Sequence, residues 1–236
     1  MGAYVISWDG FYKKSQHIVS ELEHHADALH VIYSNKDGSG ETGQGNWHKV
    51  PNECFFGGKF KTALDLFNED IFLLVHADVT CDSWPSLVEQ CRKIFSFKDV
   101  GVWVPDINFN PWSINKTKIS EVNNLKGVHF VAATDAIVVA YSAEVISRLK
   151  QYNYEKNHFG WGIDWAAVCY AYCNNLMVLG DTTVKLHHPQ SPGYSTDQAR
   201  QQMNEFFQQM TVQERMQYAV LNGYISQRIA KLRSNK

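Results

Sequence analysis

Short apolar runs alternate with amphipathic segments along most of the chain. Runs rich in branched and aromatic residues predict buried strands, and segments with apolar residues at helical spacing predict helices. The predicted strands are 3–8, 28–34, 47–50, 71–75, 100–105, 128–141 and a short one within 181–189. The predicted helices are 13–24, 60–67, 84–95 and 143–149, with another that opens at Asp164. This alternation predicts an α/β fold with a mainly parallel sheet flanked by helices.

The C-terminal part has a different pattern, with few strand signals and apolar residues at helical spacing over 196–236. It predicts two helices that are broken near Thr211. We therefore expect one domain over residues 1–195 and a helical C-terminal extension packed on it. The alternative role of the extension is contact with a second copy, a partner enzyme or a membrane surface. That contact would use its basic residues, Arg228, Lys231 and Arg233.

One apolar run, 71–75, ends abruptly in His76 and Asp78. A continuous run of this kind is typical of a strand buried on both faces of an α/β sheet. Ligands of open α/β sheets bind beyond the carboxyl ends of the strands, and alternation sends His76 and Asp78 to the same side. A carboxylate there could hold a divalent cation and, through it, a phosphate group. The alternative is a polar strand end at which Asp78 caps a turn.

Composition excludes several classes of protein. The 236 residues are 44% hydrophobic and 13% aromatic, which is enough for a sizeable core in one large domain. The net charge is −2 and there is no long basic run, so we expect no nucleic-acid partner. The N-terminus has no basic region and only a short apolar segment, which predicts a cytoplasmic protein without a signal peptide. The five scattered cysteines form no CxxC pair and favour buried, reduced thiols.

Three polar segments carry further candidate chemistry. The glycine-rich segment 35–41 lacks the ending of a P-loop and the spacing of a dinucleotide fingerprint, which favours a turn over direct phosphate contact. Two glycines bracket Trp161 ahead of Asp164, where an aromatic ring beside a carboxylate would suit a sugar. A helix N-cap is the alternative role for Asp164. A late strand ends in His187 and His188, which could present imidazole to a metal, although paired histidines more often lie on the surface.

The order and spacing of these pieces resemble the GT-A-fold glycosyltransferases, most closely the family-2-like nucleotide-sugar transferases. The resemblance extends over about residues 3–190. Its motifs are a first strand and loop at 5–9, a second loop at 34–40, a helix start at 57–63, a strand end at 74–78, a glycine–acid motif at 160–164 and a final strand end at 184–188. The chain departs from the family at His76, which replaces the first acid of the Asp-x-Asp motif.

The resemblance implies a transferase of the kind used in polysaccharide biosynthesis. Such an enzyme moves a sugar from a nucleoside-diphosphate sugar, with UDP as the favoured nucleotide, to a hydroxyl of a saccharide or glycan acceptor. Inversion at the anomeric carbon is the usual outcome. The metal, Mn²⁺ or Mg²⁺, would be bound by Asp78 together with His188 or His187. Asp164 would be the general base that takes the proton of the acceptor hydroxyl.

The resemblance also implies which residues bind the substrates. Trp161 and Gly162 would contact the acceptor. The nucleotide sugar would contact residues of the earlier motifs, namely Ser7, Trp8, Asp9, Asn35, Lys59, His76, Ala77 and Asp135. A solvated position on the surface is the alternative for Lys59.

Two other functions stay open on the sequence. Because His76 replaces an acid, the chain could be a catalytically inactive carbohydrate- or nucleotide-binding protein with the same fold. A nucleotidyltransferase on a related sheet is the third possibility. It would require a basic, glycine-rich signature directly after the first strand, which residues 8–12 do not supply.

Overall fold

The computed structural model of the chain describes residues 1–36, 42–189 and 194–234. The strands are β1 (Gly2–Ser7), β2 (Ala28–Tyr33), β3 (Trp47–Lys49), β4 (Ile71–His76), β5 (Thr80–Cys81), β6 (Val100–Ile107), β7 (Lys118–Glu121), β8 (Val128–Val131), β9 (Val138–Ser142) and β10 (Met177–His187). The helices are α1 (Tyr12–Leu22), α2 (Phe56–Leu66), α3 (Trp84–Phe95), α4 (Ile114–Thr117), α5 (Ala143–Leu149), α6 (Ile163–Cys173), α7 (Thr196–Phe206) and α8 (Val212–Ser234).

These strands form one sheet in the order β3-β2-β1-β4-β9-β6-β10-β8-β7, with β5 paired to β10. Strands β1, β2, β3, β4, β6, β7 and β10 run in one direction, and β5, β8 and β9 run in the other. Helices α1 and α3 bury apolar residues against one face, and α2, α5, α6 and α8 bury theirs against the opposite face. The predicted α/β fold with a mainly parallel, helix-flanked sheet is confirmed.

The prediction of a single strand over 128–141 is wrong, because this segment forms both β8 and β9. Strand β8 pairs with β10, whereas β9 lies antiparallel between β4 and β6. The residues between the two strands include Ala132, Ala133 and Ile137, which are buried. Their burial explains why the apolar pattern looks continuous in the sequence. Between β8 and β9 the chain passes across the sheet, and Asp135 lies just before β9.

Several other element boundaries differ from the prediction. Helix α2 begins at Phe56 rather than at residue 60, and β10 begins at Met177, well before residue 181. The polar segment 106–124 contains α4 and β7. By contrast, α3 and α5 have the predicted bounds, and the Ser83 hydroxyl accepts a hydrogen bond from the backbone N–H of Ser86, as expected of an N-cap.

The C-terminal helices pack on the same apolar cluster as α6. Helices α7 and α8 are separated at Thr211, as predicted, and Leu221 and Ile225 of α8 are buried. The buried carboxylate of Glu214 accepts two hydrogen bonds of 2.8 Å from the Arg148 guanidinium of α5. This bidentate pair ties the start of α8 to the sheet domain. The boundary at residue 195 stays a prediction. None of the helices in the described ranges combines the length and apolarity that crossing a membrane requires.

The five cysteines all lie within the described ranges and carry free thiols. Cys91 and Cys169 are buried, in line with the prediction, and burial raises the pKa of both thiols. Cys173 differs from the prediction because it lies exposed at the end of α6. The buried thiols therefore act as small apolar side chains of the core.

Candidate functional site

Three side chains with metal-binding atoms converge beyond the ends of β4 and β10. His76 ends β4, Asp78 follows two residues later, and His188 directly follows β10. One ligand atom from each of the three lies within 4.8 Å of the others. Nε2 of His188 is 3.4 Å from Oδ2 of Asp78. In the sheet, β9 and β6 lie between β4 and β10, so the two strands themselves are not neighbours. The three side chains therefore meet through residues that lie beyond the strand ends.

Polar atoms of this cluster lack protein partners. Nε2 of His76, Oδ1 of Asp78 and Nδ1 of His188 are buried and make no hydrogen bond within the described residues. Buried polar atoms are normally paired, so three unpaired ones in one place indicate a binding position. Two imidazoles and one carboxylate are groups that bind divalent cations. The donor set therefore fits the predicted metal.

Protonation also favours metal binding. Burial lowers the pKa of His76 to about 4, although the charge of Asp78 opposes this shift. Burial acts to raise the pKa of Asp78, but the hydrogen bond from His188 and the charges of both histidines leave it below its usual value. At neutral pH the His76 ring is therefore neutral and Asp78 is ionised. These are the forms that coordinate a cation.

Two further carboxyl groups, those of Asp135 and Asp164, interact electrostatically beside the cluster. Burial raises the pKa of Asp135 to about 6, while the charge of His188 acts in the opposite direction. Burial, and then repulsion from Asp135, raise the pKa of Asp164 to about 8. A carboxylate with a pKa near neutrality is suited to accept a proton from a substrate hydroxyl. Asp164 thus has the chemistry of a proton acceptor, and the charge of Asp135 shifts its pKa.

Two glycines set the position of Asp164. Gly160 and Gly162 have φ angles of 72° and 90°, in the left-handed region that favours glycine. A Cβ on Gly162 would lie 2.6 Å from the Phe207 ring, so the C-terminal helices also restrict this position. Gly162 caps α6 and Asp164 lies in the first turn. The N-cap alternative for Asp164 is therefore wrong.

The buried side chain of Lys59 connects the ends of β1 and β2 by hydrogen bonds. Its side chain is fully buried, and Nζ donates hydrogen bonds of 2.7 Å to the Ser7 carbonyl and 2.8 Å to the Ser34 hydroxyl. Nζ also lies 5.1 Å from the centroid of the Trp8 ring. Burial lowers the pKa of Lys59 to about 7. The surface alternative for Lys59 is wrong, and helical spacing from Phe56 would have indicated its burial had α2 been predicted at its full length.

The other residues predicted to bind the nucleotide sugar lie at the same strand ends. The Trp8 ring is edge-on to His76, with centroids 5.0 Å apart. The exposed carboxylate of Asp9 accepts a hydrogen bond of 3.1 Å from the backbone N–H of Lys36. Residues 37–41 of the predicted glycine-rich turn lie outside the described residues. The remaining members, Ser7, Asn35 and Ala77, are buried.

The structure does not bring His187 to the cluster. His187 is the last residue of β10, and its Nδ1 is 2.9 Å from the side-chain nitrogen of Asn108. Successive residues of an extended chain point to opposite sides, which separates the rings of His187 and His188. His188 is thus the histidine that the structure places beside Asp78.

The two predicted acceptor residues support the loop before α6. Nε1 of Trp161 donates a hydrogen bond of 2.9 Å to the Tyr194 hydroxyl. Gly162 offers only backbone, and Phe207 and Met203 lie over its Cα. The acceptor role of both residues stays a prediction.

Comparison with known proteins gives matches in structure alone. No protein-family model matches the sequence, and no curated protein matches it. GalNAc-T7 with UDP, GalNAc and Mn²⁺ has a TM-score of 0.60 at 11% identity, over 82% of this chain and 44% of that one. The mannosyltransferase PcManGT from Pyrobaculum calidifontis, in complex with GDP-Man and Mn²⁺, has 0.54 at 9%, over 100% and 75%. A UDP-glucose pyrophosphorylase complexed with UDP-glucose has 0.50 at 12%, over 88% and 99%.

These similarities define the fold. The chain has a GT-A-like fold, which glycosyltransferases share with related nucleotidyltransferases, and the predicted resemblance is confirmed at that level. The chain spans less than half the length of GalNAc-T7. Function must be argued from the site, because one fold can serve several activities.

Proposed function

We propose that this chain is a metal-dependent glycosyltransferase that moves a sugar from a nucleoside-diphosphate sugar to a hydroxyl of a saccharide or glycan. The observation that supports the proposal is the cluster of His76, Asp78 and His188, whose unpaired atoms lie beside two carboxyl groups of raised pKa. UDP is the favoured nucleotide, and the fold match to a protein complexed with UDP and Mn²⁺ is in line with it.

The metal site consists of Asp78 and His188, with His76 as a third ligand. A divalent ion there would neutralise the charge that develops on the diphosphate leaving group. The protein itself keeps the ligand side chains in the protonation states that bind a metal. Asp78 is ionised and His76 is neutral at pH 7, so neither must change its protonation state first.

Asp164 is the general base in this proposal. Its carboxylate takes the proton of the acceptor hydroxyl as the oxygen attacks the anomeric carbon. Attack on the face opposite the diphosphate inverts the configuration. Trp8, edge-on to His76, lies where it can stack on the nucleoside, and Lys59 holds the backbone of this loop in place. Burial raises the pKa of Asp164, and repulsion from Asp135 raises it further.

Thermal unfolding of the full chain with sugar nucleotides tests the proposal. UDP-sugars are expected to raise the Tm when Mn²⁺ is present and to lose this effect with EDTA, with Mg²⁺ giving a smaller shift. Hydrolysis of the bound donor, followed by release of UDP, then tests for chemistry. Binding without hydrolysis or transfer would favour the inactive binding protein, and formation of a sugar nucleotide from a nucleoside triphosphate would favour a nucleotidyltransferase.

Asp135→Asn is expected to move the rising limb of the pH–rate profile to lower pH. Asp164 acts as a base only when it is deprotonated, so the rate rises as pH passes through its pKa. Removing the negative charge of Asp135 lowers that pKa from about 8. Profiles are compared at one fixed Mn²⁺ concentration, because the bound cation also shifts nearby pKa values.

Asp106→Asn is the matched control for this profile. Asp106 is another half-buried acid with a raised pKa, and it lines a different pocket near His187. Its replacement is expected to leave the limb in place. A limb that stays at the same pH in Asp135→Asn would contradict the coupling between the two carboxyl groups.

A further inference from the structure

A surface pocket of about 610 Å³ is lined in part by residues of the segment that leads into α6, the helix that carries Asp164. It is formed by the segment before α2, the loop 155–159 and one side of α7, and its lining includes Phe55, Phe159, Gln198, Gln201, Gln202 and Glu205. Phe56, the next residue after Phe55, packs on His76 with ring centroids 4.9 Å apart. The pocket and the proposed metal site are thus linked by two consecutive residues, Phe55 and Phe56.

Aromatic rings form one wall of this pocket. The Phe159 ring stacks on Tyr194 with centroids 4.7 Å apart, and Phe55 lies edge-on to Phe159 at 5.4 Å. All three rings are partly exposed. The backbone N–H of Phe159 donates to Oε1 of Gln202 at 3.3 Å, which fixes the ring's position against α7. Aromatic rings that are held in place and partly exposed offer a surface on which the apolar C–H faces of a ligand can stack.

The part of the lining that α7 contributes is rich in side-chain amides. Gln198 and Gln201 are three residues apart on α7, so they share one side of the helix, and both are exposed. Each amide can donate and accept hydrogen bonds at once, as each sugar hydroxyl can. Gln201 is held by its Nε2, which is 3.4 Å from Oε1 of Glu205. Amides and aromatic rings in the lining of one pocket suit a ligand that has both hydroxyl groups and C–H faces.

The charge of the pocket disfavours anionic ligands. Three carboxylates line it, those of Glu53, Glu155 and Glu205, against the single ammonium of Lys156. The net negative field repels an anionic ligand. A neutral sugar or an amino sugar carries no such penalty.

We propose that this pocket is a subsite for the saccharide acceptor that binds neutral or amino-bearing sugar units and disfavours uronate or phosphate groups. The inference rests on the proposed function, which requires a saccharide near Asp164. It moves the stacking surface from Trp161, whose indole N–H is bonded to Tyr194, to Phe55 and Phe159.

Binding of tetrasaccharides to the full chain tests this subsite by saturation-transfer NMR and titration. The probes are neutral gluco-, galacto-, manno- and N-acetylglucosamine tetrasaccharides, with a tetragalacturonate as the anionic probe. At least one neutral probe is expected to bind about tenfold more tightly than the uronate. Phe159→Ala and Gln198→Ala are each expected to weaken the neutral probe about tenfold. Gln198 is exposed on α7, so its replacement tests the pocket without disturbing the core.

Gln208→Ala is the matched control, because Gln208 is an exposed glutamine just past α7 and outside the pocket lining. It is expected to leave saccharide binding unchanged. The double variant with Glu53→Gln and Glu205→Gln is expected to reduce the difference in affinity between the neutral probe and the uronate. Binding of no neutral probe, equal binding of the uronate, or unchanged binding by Phe159→Ala and Gln198→Ala would each overturn the inference.

Nucleotide-sugar binding with and without Mn²⁺, measured on the same unmodified chain, separates this inference from the proposed function. If saccharides bind as described but no nucleotide sugar binds, the proposed function fails and the pocket stands. If the nucleotide sugar binds and transfer proceeds while the pocket variants bind saccharide normally, the proposed function stands and the pocket assignment fails.

Discussion

Asp164→Asn is expected to lower the transfer rate by about 10²–10⁴-fold while nucleotide-sugar binding survives. Asparagine keeps the size of the side chain but cannot accept the proton of the acceptor hydroxyl. Most of the proposed donor contacts lie at the ends of β1, β2 and β4, and the substitution leaves them in place. The kcat for transfer and the Kd for the donor with Mn²⁺ are the two measurements. Normal turnover by the variant would rule out the base assignment.

The same variant is expected to be more stable than the native chain at neutral pH. The pKa of Asp164 is raised from 3.8 to about 8 in the fold, so the folded chain keeps a proton that the unfolded chain releases. The native stability therefore falls as pH rises from about 4 to about 8, and asparagine avoids this loss. Thermal melts at pH 5 and pH 8 measure it, with the exposed Asp82→Asn as control. A larger fall in Tm for the variant than for the native chain would contradict the assigned protonation.

Asp78→Ala is expected to remove the metal dependence of nucleotide-sugar binding and to weaken it by about 100-fold or more when Mn²⁺ is present. Loss of groups that only orient a ligand already costs 10–100-fold, and Asp78 is a direct ligand in our proposal. It is also the anion of the cluster, so the remaining imidazoles would face the cation alone. Titration of a UDP-sugar with Mn²⁺ and with EDTA measures the effect.

A pair of histidine variants gives this test its control. His188→Ala is expected to weaken metal-dependent binding, because His188 lies 3.4 Å from Asp78. His187→Ala is expected to leave it unchanged, because the His187 ring meets Asn108 instead. Equal affinity of Asp78→Ala with and without Mn²⁺, matching that of the native chain with Mn²⁺, would rule out the metal role.

Features that depend on local sequence were predictable. The apolar run of β4 and the polar residues after it give the strand, its burial and the edge at which ligands bind. Ser83 and Pro85 mark the start of α3 because capping and the first helical turn are local effects. The pairing of Asp78 with a late histidine was implied by the resemblance to the GT-A-fold glycosyltransferases.

Features that depend on contacts between distant segments were not predictable. The place of β9 between β4 and β6 is set by sheet pairing, which the apolar pattern of 128–141 does not encode. The burial of Lys59 depends on the Ser7 carbonyl and the Ser34 hydroxyl, which satisfy its ammonium inside the protein. The choice between His187 and His188 depends on which ring faces Asp78 after β10 ends.

The insertion of β9 has a consequence for how the protein folds. Strand β4 gains its second neighbour only after β6, β7 and β8 have been synthesised, and β6 pairs with β10, which comes later still. Such long loops must close before their contacts contribute stability, which slows folding. Asp78 and His188 can come together only after β10 has been synthesised and has paired with β6. If the proposed metal site is correct, a bound ion would stabilise the folded chain in which both ligands are in place.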